Sequence, residues 1–134
     1  MRALLDTNIL IASSAAGEAR PRLDDFADLQ VSALSWAELT KGLHTTTSLA
    51  EFKARRARLD ALRGLFGEGL PFDDRCADAY DRILARVTAN GGSARAHVID
   101  RLLAATALAH GLVLVTRDRG AFGGLDEFVP VEER

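Results

Sequence analysis

Leu112-Val113-Leu114-Val115 is apolar at every position, follows Gly111, and runs straight into Thr116-Arg117-Asp118. A short run with no polar residue reads as a strand covered on both faces, the habit of parallel sheets rather than of half-exposed antiparallel ones. The start of the chain has the same shape. Ala3-Leu4-Leu5 passes directly into Asp6, Thr7 and Asn8, and then into Ile9-Leu10-Ile11. Parallel strands need long crossovers, and the residues between the two runs carry helical patterns.

Ile9 to Ala16 predicts a short helix ending at Gly17, and Pro21 opens a second helical segment with Leu23 and Phe26 on one face. Leu29, Val31 and Ala33 alternate with Gln30 and Ser32, which predicts a strand. Ser35-Trp36-Ala37-Glu38 is a capping-box pattern opening a helix towards Gly42 or Leu43. A second box, Ser48 to Glu51, opens a longer helix with Leu49, Phe52, Leu59, Leu62 and Phe66 on one face. Its other face is basic, with Lys53, Arg55, Arg56, Arg58 and Arg63. Leu70-Pro71-Phe72 is long enough only for a short edge strand. Asp73 or Asp74 caps a helix that ends at Asn90-Gly91-Gly92, another carries Val98 to Ala109 and stops at Gly111, and Glu127 to Val131 reads as a closing strand. The expected fold is α/β: a single domain over residues 1–134, with a mostly parallel sheet of about five strands flanked by helices.

Composition narrows the partners. With 134 residues, 48% hydrophobic and 27% charged, the chain can bury a core of its own. One cysteine, Cys76, excludes an intrachain disulfide and fits a reducing, cytoplasmic setting. The N-terminal apolar run is broken by Asp6 and Asn8, so neither a signal peptide nor a membrane span is expected. The formal net charge of −2 argues against holding nucleic acid by bulk electrostatics. A role on nucleic acid would then need a local basic patch or a metal ion.

Four acids occupy comparable settings. Asp6 follows the first strand and Glu38 lies in the first turn of the helix after the second. Asp100 lies near the start of the Val98–His110 helix, and Asp118 follows the apolar strand. Ligands of open α/β sheets gather at the carboxyl ends of strands. Each acid also has an ordinary structural reading. Asp6 and Asp118 suit a cap or a turn, Glu38 completes a capping box, and Asp100 suits a helix surface.

The ordered set LLDTNIL (4–10), SALSWAELTKGL (32–43) and IDRLLAATALAHGLVLVTRD (99–118) resembles the PIN domain, and in particular the VapC ribonuclease toxins of VapBC toxin–antitoxin modules. The resemblance implies a metal-dependent endoribonuclease toxin of type II, inhibited by a VapB-like antitoxin, acting on RNA and forming a homodimer. It places the acidic quartet on Asp6, Glu38, Asp100 and Asp118, with Asn8 and Thr116 in support. In one place the chain departs from the family pattern: Ala121, ahead of Phe122, stands where members often carry an acid, which leaves the fourth carboxylate to Asp118 alone. The alternative is a PIN-like interaction module without catalysis. A phosphotransfer domain with Asp6 as nucleophile is weaker, because Asn8 stands where an acid helper is expected.

The chemistry agrees with the resemblance. Four clustered carboxylates repel one another, and a divalent ion relieves that conflict. Oxygen ligands suit Mg2+, or Mn2+ in its place, and no Cys/His run of zinc spacing is present. Arg95, Arg101, Arg117 and Arg119 bracket Asp100 and Asp118 in sequence and are candidates for phosphate contact. His97 is dispensable as a base if a metal activates water. Cys76 reads as a small apolar filler.

Overall fold

The computed structural model describes residues 1–14 and 20–134. Four strands, β1 (Arg2–Leu5), β2 (Asp28–Val31), β3 (Val113–Thr116) and β4 (Val131–Glu133), form one sheet in the order β2-β1-β3-β4. Every pairing is parallel, with Leu5 level with Val31 on one side and with Val115 on the other. Five α-helices connect them: α1 (Thr7–Ser14), α2 (Ala33–Leu43), α3 (Leu49–Phe66), α4 (Asp74–Ala89) and α5 (Val98–His110).

The apolar strands are covered on both sides, as their composition demands. Ala3, Leu5, Val113 and Val115 pack into one cluster with Trp36 and Leu62, from α2 and α3. Leu4 and Leu114, one residue out of phase, pack into the other with Ile83 and Leu103, from α4 and α5. Strand alternation thus divides the core into two layers. The order β2-β1-β3 means that the chain leaves β1 towards one edge and later returns on its other side. That reversal opens a crevice between the carboxyl ends of β1 and β3.

Several expected elements are drawn differently. The fifth strand, Leu70–Phe72, shrinks to a single bridge between Ser32 and Leu70, because Pro71 has no N–H to continue a ladder. The closing strand begins only at Val131, since Leu125 to Val129 turns back on itself through Phe128 and Val129 amides donating to the Leu125 carbonyl. No helix forms after Pro21; residues 21–27 are irregular with one turn. The first helix starts at Thr7, two residues earlier than its pattern suggests, and its expected end at Ala16–Gly17 lies outside the described residues. Ser48 and Asp73 cap α3 and α4 through their side chains, and Gly111 closes α5 at φ +65°, a left-handed conformation that favours glycine. Along α3 the expected apolar face is only partly covered: Leu59 and Leu62 are buried but Leu49 is exposed.

The Ser35–Glu38 box does not form. Ser32 caps α2 instead, its hydroxyl accepting from the Leu34 amide at 3.0 Å, and Ser35 is fully buried inside the helix. Glu38 therefore lies in the second turn with its carboxylate released from capping.

Gly69 holds this start of α2 in place. A Cβ at Gly69 would lie 2.5 Å from the Ala33 nitrogen and 2.7 Å from its Cα, both backbone atoms that cannot swing aside. Gly69→Ala is expected to cost about 1–3 kcal/mol, typical of overpacking. Urea unfolding measures it, and an unchanged midpoint would contradict the close approach.

Candidate functional site

The four acids lie around the crevice between β1 and β3 near enough to feel one another's charge, although no three of their carboxylates come within 4.8 Å of one another. Because Leu5 is level with Val115, the next residues, Asp6 and Thr116, face each other across the strand ends. The Asp6 amide extends the ladder by donating to the Val115 carbonyl at 2.9 Å, and its own carbonyl accepts from Ile9 and Leu10 to start α1. Asp6 thus starts α1 through its carbonyl while its carboxylate remains turned to the crevice.

Its carboxylate is held at both oxygens by neutral donors. The Thr7 amide donates to Oδ1 at 2.7 Å and the Thr116 hydroxyl donates to Oδ2 at 2.8 Å. Thr116 is fully buried and uses its whole capacity. While donating to Asp6 it accepts from the Asp118 amide at 3.0 Å and from Asn8 Nδ2 at 3.3 Å. Asn8 Oδ1 in turn accepts from the Arg117 amide at 3.2 Å. Asn8 and Thr116 therefore support Asp6 and the Asp118 turn directly.

Burial is the main reason that the Asp6 pKa rises from 3.8 to about 6; the Thr116 and Thr7 hydrogen bonds oppose the rise, and the charges of Asp100 and Glu38 add to it. Asp100 is raised too, first by burial, against the lowering effect of His97, and further by Asp118. The four acids thus share one field although they come from both layers: Glu38 from α2, Asp100 from α5, Asp6 and Asp118 from the strand ends. Asp118 is the exposed member, at the head of a 3-10 turn whose Phe122 anchors it in the core. Ala121 packs partly buried beside that anchor. His97 starts α5 in a left-handed conformation, φ 51°, with its Nδ1 3.6 Å from Asp100 Oδ2. For a non-glycine residue that backbone costs about 1–2 kcal/mol.

Thr7, which looks like an ordinary turn residue in the sequence, is bonded to Glu38. Its hydroxyl donates to Glu38 Oε1 at 2.6 Å and lies 3.0 Å from the buried Ser35 hydroxyl, whose proton completes the pair. Thr7, Glu38, Ile11 and Leu39 line one cleft with Arg55 and Arg58 of α3. Part of the basic face thus approaches the acids. The rest is engaged locally: Arg56 with Asp60, and Arg63 over the Trp36 ring. Arg55 itself donates to the Gly42 carbonyl and to Glu51. Trp36 is buried in the core.

The four arginines near Asp100 and Asp118 do not form one patch. Arg101, whose charge still reaches Asp100, has its Nη1 bonded to the carbonyls of Ser93 and Ala96. It clamps the loop before α5. Arg119 faces Asp126 at 3.4 Å, while Arg95 and Arg117 lie on the surface. The donor set of the crevice is all oxygen and its charge is negative, a fit for a hard divalent cation such as Mg2+ or Mn2+ and not for a soft one.

Carboxylates set around the switch between two central strands of a parallel α/β sheet make a site of the open-sheet kind, where ligands gather at the strand ends. The family model described as "PIN domain" matches residues 3–126. The chain belongs to the PIN-domain family. It is 35% identical over 111 residues to VapC ribonuclease Y4jK of Sinorhizobium fredii, covering 78% of this chain and 76% of that one. Toxin FitB of Neisseria gonorrhoeae is 33% identical over 135 residues, with 92% of each chain covered. Among solved structures, FitAcB from Neisseria gonorrhoeae superimposes with a TM-score of 0.77 at 30% identity, over 96% of this chain and 95% of that one. A VapBC-5 toxin–antitoxin structure from Mycobacterium tuberculosis gives 0.76 at 25% identity, over 98% and 96%. Among the described residues, no helix is long and apolar enough to cross a membrane.

Proposed function

We propose that this chain is a metal-dependent endoribonuclease acting as the toxin of a type II toxin–antitoxin pair. The observation that carries the reading is Asp6: a buried carboxylate, fixed at both oxygens, whose ionisation is opposed by burial and by two neighbouring acids. Such a group is arranged for a cation. In support, similar chains bear the names VapC ribonuclease and Toxin FitB.

In this reading Asp6 and Asp100 hold Mg2+ or Mn2+, and Asp118 completes the carboxylate set. When bound, the ion supplies Lewis acidity and lowers the pKa of a coordinated water. Glu38 has one oxygen committed to Thr7, so its second oxygen is available to take the proton of the attacking water. Asn8 and Thr116 keep Asp6 and the Asp118 turn in register. Arg58, and Arg55 if it releases Glu51 and the Gly42 carbonyl, stand on the cleft wall beside Glu38, suited to RNA phosphates. Arg95, and Arg119 if it releases Asp126, extend that contact, and Arg117 beside Asp118 is a further candidate. The toxin is homodimeric and cytoplasmic, residues 1–134 form one PIN-like domain of it, and a VapB-like antitoxin silences it.

Purified without a partner, the protein is expected to cut RNA when Mg2+ is present and to stop when the ion is chelated. Cleavage that survives the combined Asp6→Asn and Asp100→Asn substitutions would sink the assignment. Thr7→Val, nearly isosteric, leaves Glu38 unanchored and is expected to lower activity about 10–100-fold, the range for groups that orient ligands. Equal rates for Thr7→Val and wild type would remove Glu38 from the mechanism.

A further inference from the structure

At the end of α5 remote from Asp100, residues far apart in sequence meet. Asp73, which caps α4, Cys76 in its first turn, and His110 in the last turn of α5 each bring a ligand atom to within 4.8 Å of the other two. Among the described residues this is the one trio of acid, thiol or imidazole groups gathered so closely. The ten residues from Asp100 to His110 span about 15 Å of helix, so the trio is separate from the acid crevice.

Two further observations set it apart from ordinary packing. His110 Nε2 is buried and has no hydrogen-bond partner, a condition that buried polar atoms rarely tolerate. Cys76 is fully buried yet belongs to neither apolar cluster. Its thiol lies 3.8 Å from the Pro71 carbonyl and also interacts with the side chains of Asp73 and Thr106. Asp73 Oδ1 accepts from the Cys76 amide at 3.1 Å, while Oδ2 faces Arg75 at 3.8 Å and remains open to a stronger charge.

We propose that Asp73, Cys76 and His110 form a second cation site, for a borderline or soft divalent ion of the Zn2+ type. Thiolate, imidazole and one carboxylate are a zinc donor set, and three protein ligands leave a fourth tetrahedral position for water. Ligand atoms around Zn2+ stand about 3.3–3.8 Å apart, given its bond lengths, so modest side-chain rotation closes the trio from 4.8 Å. Ligation satisfies the orphaned imidazole nitrogen and replaces the thiol proton. The carboxyl end of α5 adds favourable partial charge for a cation, and Asp73 screens the opposing amino end of α4. The ion ties the start of α4 to the end of α5, the two helices that cover one face of the sheet.

Co2+ titration of the chelator-stripped full chain tests this, because a thiolate-to-cobalt charge-transfer band reports sulfur ligation and the acid crevice has no sulfur. The expected result is a band saturating at one equivalent, displaced by Zn2+ and insensitive to excess Mg2+. It persists in Asp6→Asn combined with Asp100→Asn, which separates it from the nuclease reading. His110→Ala and Asp73→Asn each weaken Co2+ binding by at least about tenfold, as expected for lost ligands. Absence of the band in the wild-type protein overturns the site, and so does a band of unchanged affinity in both variants. The wild-type titration decides the matter even if a variant does not fold.

Discussion

Asp6→Asn is expected to abolish RNA cleavage and, in chelator at pH 8, to make the protein more stable than wild type. The sign follows from linkage. The folded carboxyl has its pKa raised to about 6 against 3.8 unfolded, chiefly by burial. Its contribution to stability is therefore fully present below pH 3.8 and is lost as pH rises through 6. Above pH 7 the penalty is about 3 kcal/mol. Asparagine escapes that penalty but has one acceptor oxygen for the two donors, the Thr7 amide and the Thr116 hydroxyl, a loss of about 1 kcal/mol. A net gain of about 2 kcal/mol at pH 8 should vanish near pH 4. Urea unfolding at the two pH values checks it, and an asparagine variant weaker than wild type at pH 8 would contradict the raised pKa.

Thr116→Val acts in the opposite direction. The hydroxyl serves Asp6, the Asp118 amide and Asn8 at once, and valine fills its volume while meeting none of them. The expected loss is about 2–4 kcal/mol at pH 8, where the bond to a charged carboxylate counts most. Because the Thr116 bond lowers the Asp6 pKa, its removal raises that pKa further. The loss should then shrink at pH 5, where Asp6 is already protonated in both proteins. A loss independent of pH would mean that the hydroxyl serves packing rather than the carboxylate.

The two apolar runs made the parallel sheet and its central pair legible, and with them Asp6 and Asp118. They could be read because a residue following a fully apolar strand has only one place to go. Asp100 was legible from its position beside Ile99 and Leu103 on a buried helix. Glu38 was harder. Ser32 and Ser35 stand three residues apart and either could open the helix; pairing of this stretch with Leu70, and the close approach of Gly69, accompany the use of Ser32 as the cap. Thr7 was missed because its chemistry depends on a residue 31 positions away. Arg101 shows the converse. It adjoins Asp100 in sequence, but the helix turns its guanidinium towards the preceding loop. Cys76 and His110 could not be paired from spacing, since only the packing of α4 on α5 brings them together.

The bond between Thr116 and Asp6 joins residues 110 positions apart. On the proposed reading this has a consequence during synthesis. A ribosome making the chain exposes Asp6 first, but the partner that fixes its carboxylate, and Asp118 beside it, emerge last. The carboxylate set cannot assemble on a nascent chain until β3 has cleared the exit tunnel and inserted beside β1. An RNA-cutting protein built this way stays harmless to the machinery translating it until its sheet is closed.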